Sequence, residues 1–205
     1  WAGGVYIYAD HYVKIERCEI TNNFAEERGG GLYITGQYSD TNSEQKVVEI
    51  SNSTMAYNRA YGPESSNLPP GRGIEIRGHA FVNLVNSVVY DNYYQDLQGE
   101  WQGHEVTVLN EGSVVEAIVK IEYSNIEGGM SGVDLGYNEQ TMIWGNGNIN
   151  INPLFINGGI EGNNYHLTSN SGCIDSGNPD LDGDGNDFSN DIDDQDPDGT
   201  RMDIG

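Results

Sequence analysis

A nine-residue pattern occurs four times in this 205-residue chain, and recurrence at that period constrains the fold more than any isolated motif. The copies span residues 15–23, 50–58, 84–92 and 121–129 and superpose without a gap. Each holds a small residue (Cys18, Ser53, Ser87, Ser124) and, two places on, an apolar one (Ile20, Met55, Val89, Ile126). Three further on stands Asn23, Asn58, Asn92 or Gly129. Asn and Gly are the residues that best tolerate a left-handed backbone, so a turn is expected there. The successive offsets are 35, 34 and 37 residues.

A second pattern alternates with the first: a glycine followed by a short strand. It reads Gly4-Val5-Tyr6-Ile7-Tyr8, Gly31-Leu32-Tyr33-Ile34-Thr35 and Gly73-Ile74-Glu75-Ile76-Arg77, with weaker copies at Val106-Thr107-Val108 and Val133-Asp134-Leu135. Period-two alternation turns Val5, Ile7, Leu32, Ile34, Ile74, Ile76, Val106 and Val108 to one side and Tyr6, Tyr33, Glu75, Thr107 and Asp134 to the other. Strict alternation of the patterns implies one coil of two or three strands, repeated about five times. Variable loops explain the uneven offsets, because each coil touches only its neighbours and extra residues leave at the surface. The bulkiest insertions fall at 36–45 and 59–70. Stacked Asn23, Asn58 and Asn92 are expected to form an amide ladder. The fold class is therefore all-β, a parallel solenoid of about five coils over residues 1–177, followed by an irregular acidic segment over 178–205.

The Gly-Gly-Val/Leu-x-Ile strands and Ile-x-x-Asn turns resemble the right-handed parallel β-helix repeat proteins of bacterial surfaces and secretions. The order of residues 121–129, 147–155, 165–168, 172–177 and 198–205 is similar to the C-terminal part of that group. The resemblance implies export to the cell surface or medium, within a longer modular protein; the start at Trp1 and the end at Gly205 are read in that sense. Relatives of this architecture include adhesins, polysaccharide lyases and glycoside hydrolases, and fold does not choose among them.

Formal net charge is -23, from 9 Lys+Arg against 32 Asp+Glu. Such a chain repels nucleic acid and anionic membranes and attracts cations. It has no apolar run long enough to span a bilayer and no signal peptide. The carboxylates concentrate in Asp180-Leu181-Asp182-Gly183-Asp184-Gly185-Asn186-Asp187-Phe188-Ser189-Asn190-Asp191. Oxygen donors at positions 1, 3 and 5 (Asp180, Asp182, Asp184), glycine at 6, a carbonyl from Asn186 at 7 and a carboxylate from Asp191 at 12 have the spacing of a Ca²⁺ loop. Asp187 stands at position 8, where an apolar residue is usual.

The outward row on the first strands offers tyrosine rings for sugars and charged groups for hydroxyls, so Tyr6, Tyr8, Tyr33, Glu75 and Arg77 are carbohydrate-binding candidates. No complete catalytic signature is present, and no catalytic residue is assigned. Equivalent positions on adjacent coils do not pair carboxylates as a hydrolase requires. His11, His79, His104 and His166 are scattered and read as surface or structural residues. Cys18 and Cys173 read as two separate buried thiols. The leading expectation is an adhesive or carbohydrate-binding surface protein, calcium-stabilised, with an extracellular polysaccharide or surface glycan as partner and self-association into surface assemblies as a further expectation. A lyase or hydrolase, or a structural stalk, is the alternative.

Overall fold

The computed structural model describes residues 2–36, 46–61, 71–95, 101–102, 104–109, 116–136 and 141–205. The inserted stretches 37–45 and 62–70 lie outside them. The described chain is nearly all β, built from parallel sheets of stacked strands and compatible with a solenoid.

The chain visits four sheets in fixed rotation. Sheet I stacks Val5–Ala9, Leu32–Gly36, Ile74–Arg77, Val106–Leu109 and Val133–Asp134. Sheet II stacks Val13–Glu16, Lys46–Ser51, Ala80–Val85, Ile118–Glu122 and Thr141–Trp144. Sheet III stacks Glu19–Thr21, Thr54–Ala56, Val88–Tyr90 and Asn125–Ile126. Sheet IV stacks Phe24–Ala25, Arg59–Tyr61 and Tyr93–Gln95 in parallel, with Trp101–Gln102 antiparallel at its edge. A full turn thus carries four short strands, not two or three. The nine-residue pattern is the cause of the undercount: it contains a corner that splits it between sheets II and III. Arg17, Asn52, Asn86 and Tyr123 occupy that corner with φ between 46° and 53°.

The strand register is that of the alternation. Tyr6 pairs with Tyr33, Tyr33 with Glu75, Glu75 with Thr107 and Thr107 with Asp134. Ile7, Leu32, Ile34, Ile74, Ile76, Val106 and Val108 join Ile20, Met55, Val89 and Ile126 in one enclosed apolar cluster. Val5 is the exception at 38% exposed.

Two polar ladders run along the coils. Asn23 Nδ2 donates to Asn58 Oδ1 at 2.9 Å, and Asn58 Nδ2 to Asn92 Oδ1 at 2.9 Å. The backbone N–H groups of Asn23 and Asn58 donate to the same oxygens. In the three asparagine copies the left-handed residue is the one before the ladder position, Asn22, Tyr57 and Asp91 at φ of 57°, 57° and 53°; in the fourth both Gly128 at 78° and the row member Gly129 at 60° are left-handed, as expected of a glycine. That placement leaves the asparagine pointing into the stack. The second ladder uses the small residue. Cys18 N donates to Ser53 Oγ, Ser53 N to Ser87 Oγ, Ser87 N to Ser124 Oγ and Ser124 N to Asn148 Oδ1. Both cysteines are free; Cys173 is buried, but Cys18 is exposed, contrary to expectation.

The repeated glycine is explained by the asparagine ladder. A Cβ on Gly4, Gly31 or Gly73 would meet Asn23, Asn58 or Asn92 Nδ2 at 2.9, 2.9 and 2.8 Å. In the fourth coil the two positions exchange size: Gly129 stands in the asparagine row and Glu105 in the glycine row. The Glu105 carboxylate closes the ladder, accepting from Asn92 Nδ2 at 2.5 Å and Asn92 N at 3.3 Å.

Glu105 is buried, and burial pushes its carboxyl well above the usual range; the Asn92 amide pulls it back and a hydrogen bond with the Glu127 carboxyl pushes it further up. A raised folded-state pKa contributes stability in acid that is lost as pH rises through the folded value. Stability contributed by this group should therefore decline from about pH 4.5 upward. Glu105→Gln keeps an acceptor for Asn92 and cannot ionise. Urea unfolding at stepped pH should give a flatter profile for the variant; parallel profiles would remove the assignment.

Sheet III gains one more parallel partner, the bridge of Ile149 to Asn125, and beyond it the chain leaves the parallel sheets. Phe155–Asn157 and Asn164–Leu167 form an antiparallel hairpin, and the remainder returns as a strap across the coils. Asn178 N donates to Asn86 Oδ1 at 2.6 Å and Gly205 N to Asn86 O at 2.8 Å. Val88, Cys173 and Ile204 form a small apolar cluster separate from the main core, beneath the strap. Tyr165 reaches Asn22 Nδ2 at 2.5 Å and packs its ring against Tyr57 and Phe155.

Candidate metal centre

The acidic loop begins where Asn178 fastens the strap. Its turns come from its own side chains: Asp184 N donates to Asp182 Oδ1 at 3.0 Å, Asn186 N to Asp184 Oδ1 at 2.7 Å and Gly185 N to Asp180 Oδ2 at 3.1 Å. Gly183 and Gly185 have φ of 77° and 91°, a region that any side chain would strain. Asp191 caps a short 3-10 turn, Ile192–Asp194, by accepting from Asp193 N.

These turns bring carboxylates together. Asp182, Asp184 and Asp191 offer oxygens within 4.8 Å of one another, as do Asp180, Asp182 and Asp194. Three of the five residues expected from spacing thus share one cluster. Asp180 meets Asp182 in the other, and the Asn186 side chain donates to Asp184 Oδ2 at 2.8 Å. Asp194 was not legible in the spacing, because it lies beyond the twelve-residue loop and enters through the 3-10 turn. A third group, Asp175, Asp196 and Asp203, lies across the strap. Burial raises the pKa of Asp203 and of Asp196, the latter also through Asp198. Hydroxyls lower two others, Ser189 acting on Asp187 and Thr200 on Asp198. Arg201, the cation of this segment, is engaged elsewhere: it donates to Gly177 O and Ser176 O and lies 5.6 Å over the Tyr123 ring. Oxygen-only clusters without His or Cys suit a hard cation such as Ca²⁺.

The loop also forms one wall of a cleft of about 510 Å³ over the outer face of sheet II. Lys14, Glu49, Asn83 and Lys120 make one row of its floor, in strand register. Lys14 pairs with Glu16 at 3.3 Å and Glu49 at 3.6 Å, and Lys120 pairs with Glu122. Ser51 Oγ and Asn83 Oδ1 are buried in the floor without a hydrogen-bond partner.

The carbohydrate candidates of sheet I are arranged differently from expectation. Tyr6 and Tyr8 are exposed, at 49% and 50%. Tyr33, Glu75 and Arg77 are buried, so they offer no open surface to a sugar. The Tyr6 ring lies stacked on Tyr33 at 5.5 Å, which occupies one of its faces. Glu75 and Arg77 instead make an internal ion pair, Arg77 Nε to Glu75 Oε1 at 2.5 Å, while Glu75 Oε2 accepts from the amides of Gly29 and Gly71. Alternation told correctly that these residues leave the core, but the cover over the sheet's outer face is a tertiary matter that local pattern does not carry.

Among the described residues no helix is long and apolar enough to cross a membrane. Comparison with protein-family models, characterised proteins and solved structures finds no match for this chain.

Proposed function

We propose that this chain is a stretch of right-handed parallel β-helix from a secreted or cell-surface bacterial protein, and that it works as a calcium-stabilised carbohydrate-binding module rather than as an enzyme. The observation that carries this reading is the meeting of the acidic strap with sheet II. It sets two carboxylate clusters beside a cleft whose floor is paired charges, an amide and a hydroxyl. Sugar hydroxyls are both donors and acceptors, and a floor of Asn83, Glu49 and the two lysines supplies both roles. This moves the expected binding face from the tyrosine row of sheet I to the cleft over sheet II.

Among the described residues, the carboxyl pair at Glu105 does not have the spacing of a hydrolase. Glu105 and Glu127 hydrogen-bond to each other, whereas glycosidic hydrolysis needs its two carboxyl groups about 5 Å or more apart.

Two measurements test the reading. Thermal unfolding with calcium and with chelator should differ: an ion at a hundredfold excess over its dissociation constant adds about 2.7 kcal/mol, or about 5–10 °C for a domain of this size. Asp182→Ala should abolish that shift and Asp134→Ala should not; an unchanged midpoint in the parent sinks the calcium element. Glycan-array binding should then be lost in Asn83→Ala without release of reducing ends or unsaturated sugars. Binding unaffected by Asn83→Ala, or product formation, would point away from the cleft or towards catalysis.

A further inference from the structure

We propose that Asp180, Asp182 and Asp194 hold a second Ca²⁺, separate from the ion of Asp182, Asp184 and Asp191 and sharing Asp182 with it. This deepens the calcium reading above and rests on it. Proximity of the three carboxylates is not the argument, since acidic groups cluster on many surfaces. The argument is that the cluster contains buried oxygens with nothing to bind. Asp194 is 0% exposed. Its Oδ1 accepts from Leu181 N at 2.6 Å and the Asp182 amide also faces the carboxylate, while Oδ2 makes no hydrogen bond of ordinary length and angle. Asp180 repeats the arrangement: Oδ2 accepts from Gly185 N, and Oδ1 is buried without a partner. Buried polar atoms in native proteins are nearly always partnered, and a carboxylate is the costliest to leave bare.

A divalent ion supplies the missing partner to both. Ligand oxygens on opposite sides of Ca²⁺, each at about 2.4 Å, stand about 4.8 Å apart, and the three carboxylates meet that limit. The ligands are all oxygen, which disfavours zinc. The 3-10 turn Ile192–Asp194 then carries a ligand at each end, Asp191 for the first ion and Asp194 for the second. The loop is clamped to the turn from both sides, and that clamp fixes the wall of the cleft over sheet II.

The test is calcium stoichiometry by calorimetric titration of the full chain at pH 7.5. Asp194→Asn keeps an oxygen for the Leu181 amide but removes the charge; it should bind one ion fewer than the parent. Asp184→Asn should also lose one, and Asp182→Asn should lose two. Asp180→Asn, in the more open part of the cluster, should match Asp194→Asn and serves if that variant does not fold by circular dichroism. Parent stoichiometry retained in both Asp194→Asn and Asp180→Asn, with loss confined to Asp184→Asn, overturns the second site and leaves the first standing. No calcium bound by the parent overturns both.

Discussion

Asn58→Ala should lower the unfolding free energy by about 3–5 kcal/mol, because it leaves several buried groups unpaired at about 1–3 kcal/mol each. Asn58 is buried in the middle of its ladder. Its Oδ1 serves both Asn23 N and Asn23 Nδ2, and its Nδ2 donates to Ile20 O at 2.7 Å as well as to Asn92 Oδ1. Alanine offers none of these and opens a hole between Gly31 and the next coil. Asn23→Ala, at the end of the row and partly exposed, should cost clearly less. Urea midpoints of the two variants decide the matter; equal, small losses would mean that the ladder is decoration on a fold held by its apolar core.

Arg77→Met should cost a comparable amount, about 3–5 kcal/mol, since breaking a buried ion pair strands the remaining charge. The stranded group is Glu75, fully enclosed. Two backbone amides, from Gly29 and Gly71, still donate to it, and they are not enough to replace a guanidinium at 2.5 Å. Adding Glu75→Gln should recover a good part of the loss, and measuring Glu75→Gln alone as well closes the double-mutant cycle that gives the coupling energy. A strictly additive pair of losses would show that Arg77 acts by filling space alone.

Both predictions concern positions visible in the sequence, but visible to different depths. The asparagine row could be read from offsets alone, because stacked parallel strands bring the same neighbour back at each turn. The strand faces could be read likewise, since a one-residue slip would have turned Tyr33 and Leu32 over together. Glu105 could not be read that way: its role depends on Asn92 and Glu127, and no local pattern joins the three. The acidic loop was legible as a cluster because Asp182, Asp184 and Asp191 lie close in sequence. Asp194 was hidden because a capped 3-10 turn, not spacing, returns it to Asp180. Glu75 and Arg77 were misjudged for a related reason, as outward from the core is not the same as open to solvent.

The strap across sheet III also sets an order of events in folding. Strand pairs between coils join residues 23 to 42 apart, whereas the strap reaches Asn86 from 92 residues away and the hairpin segment reaches Asn22 from 140 and 143. Loop closure grows less favourable with separation, and the strap has nothing to grip until the coils have stacked. The coils therefore zip first and the strap closes last. In the interval Val88, later covered by Cys173 and Ile204, lies bare on an otherwise finished sheet. A chain arrested at that stage, or one whose acidic loop is loosened, presents the apolar patch around Val88, Tyr90 and Ile149 to other copies of itself, so the step most sensitive to concentration during refolding should be the final one.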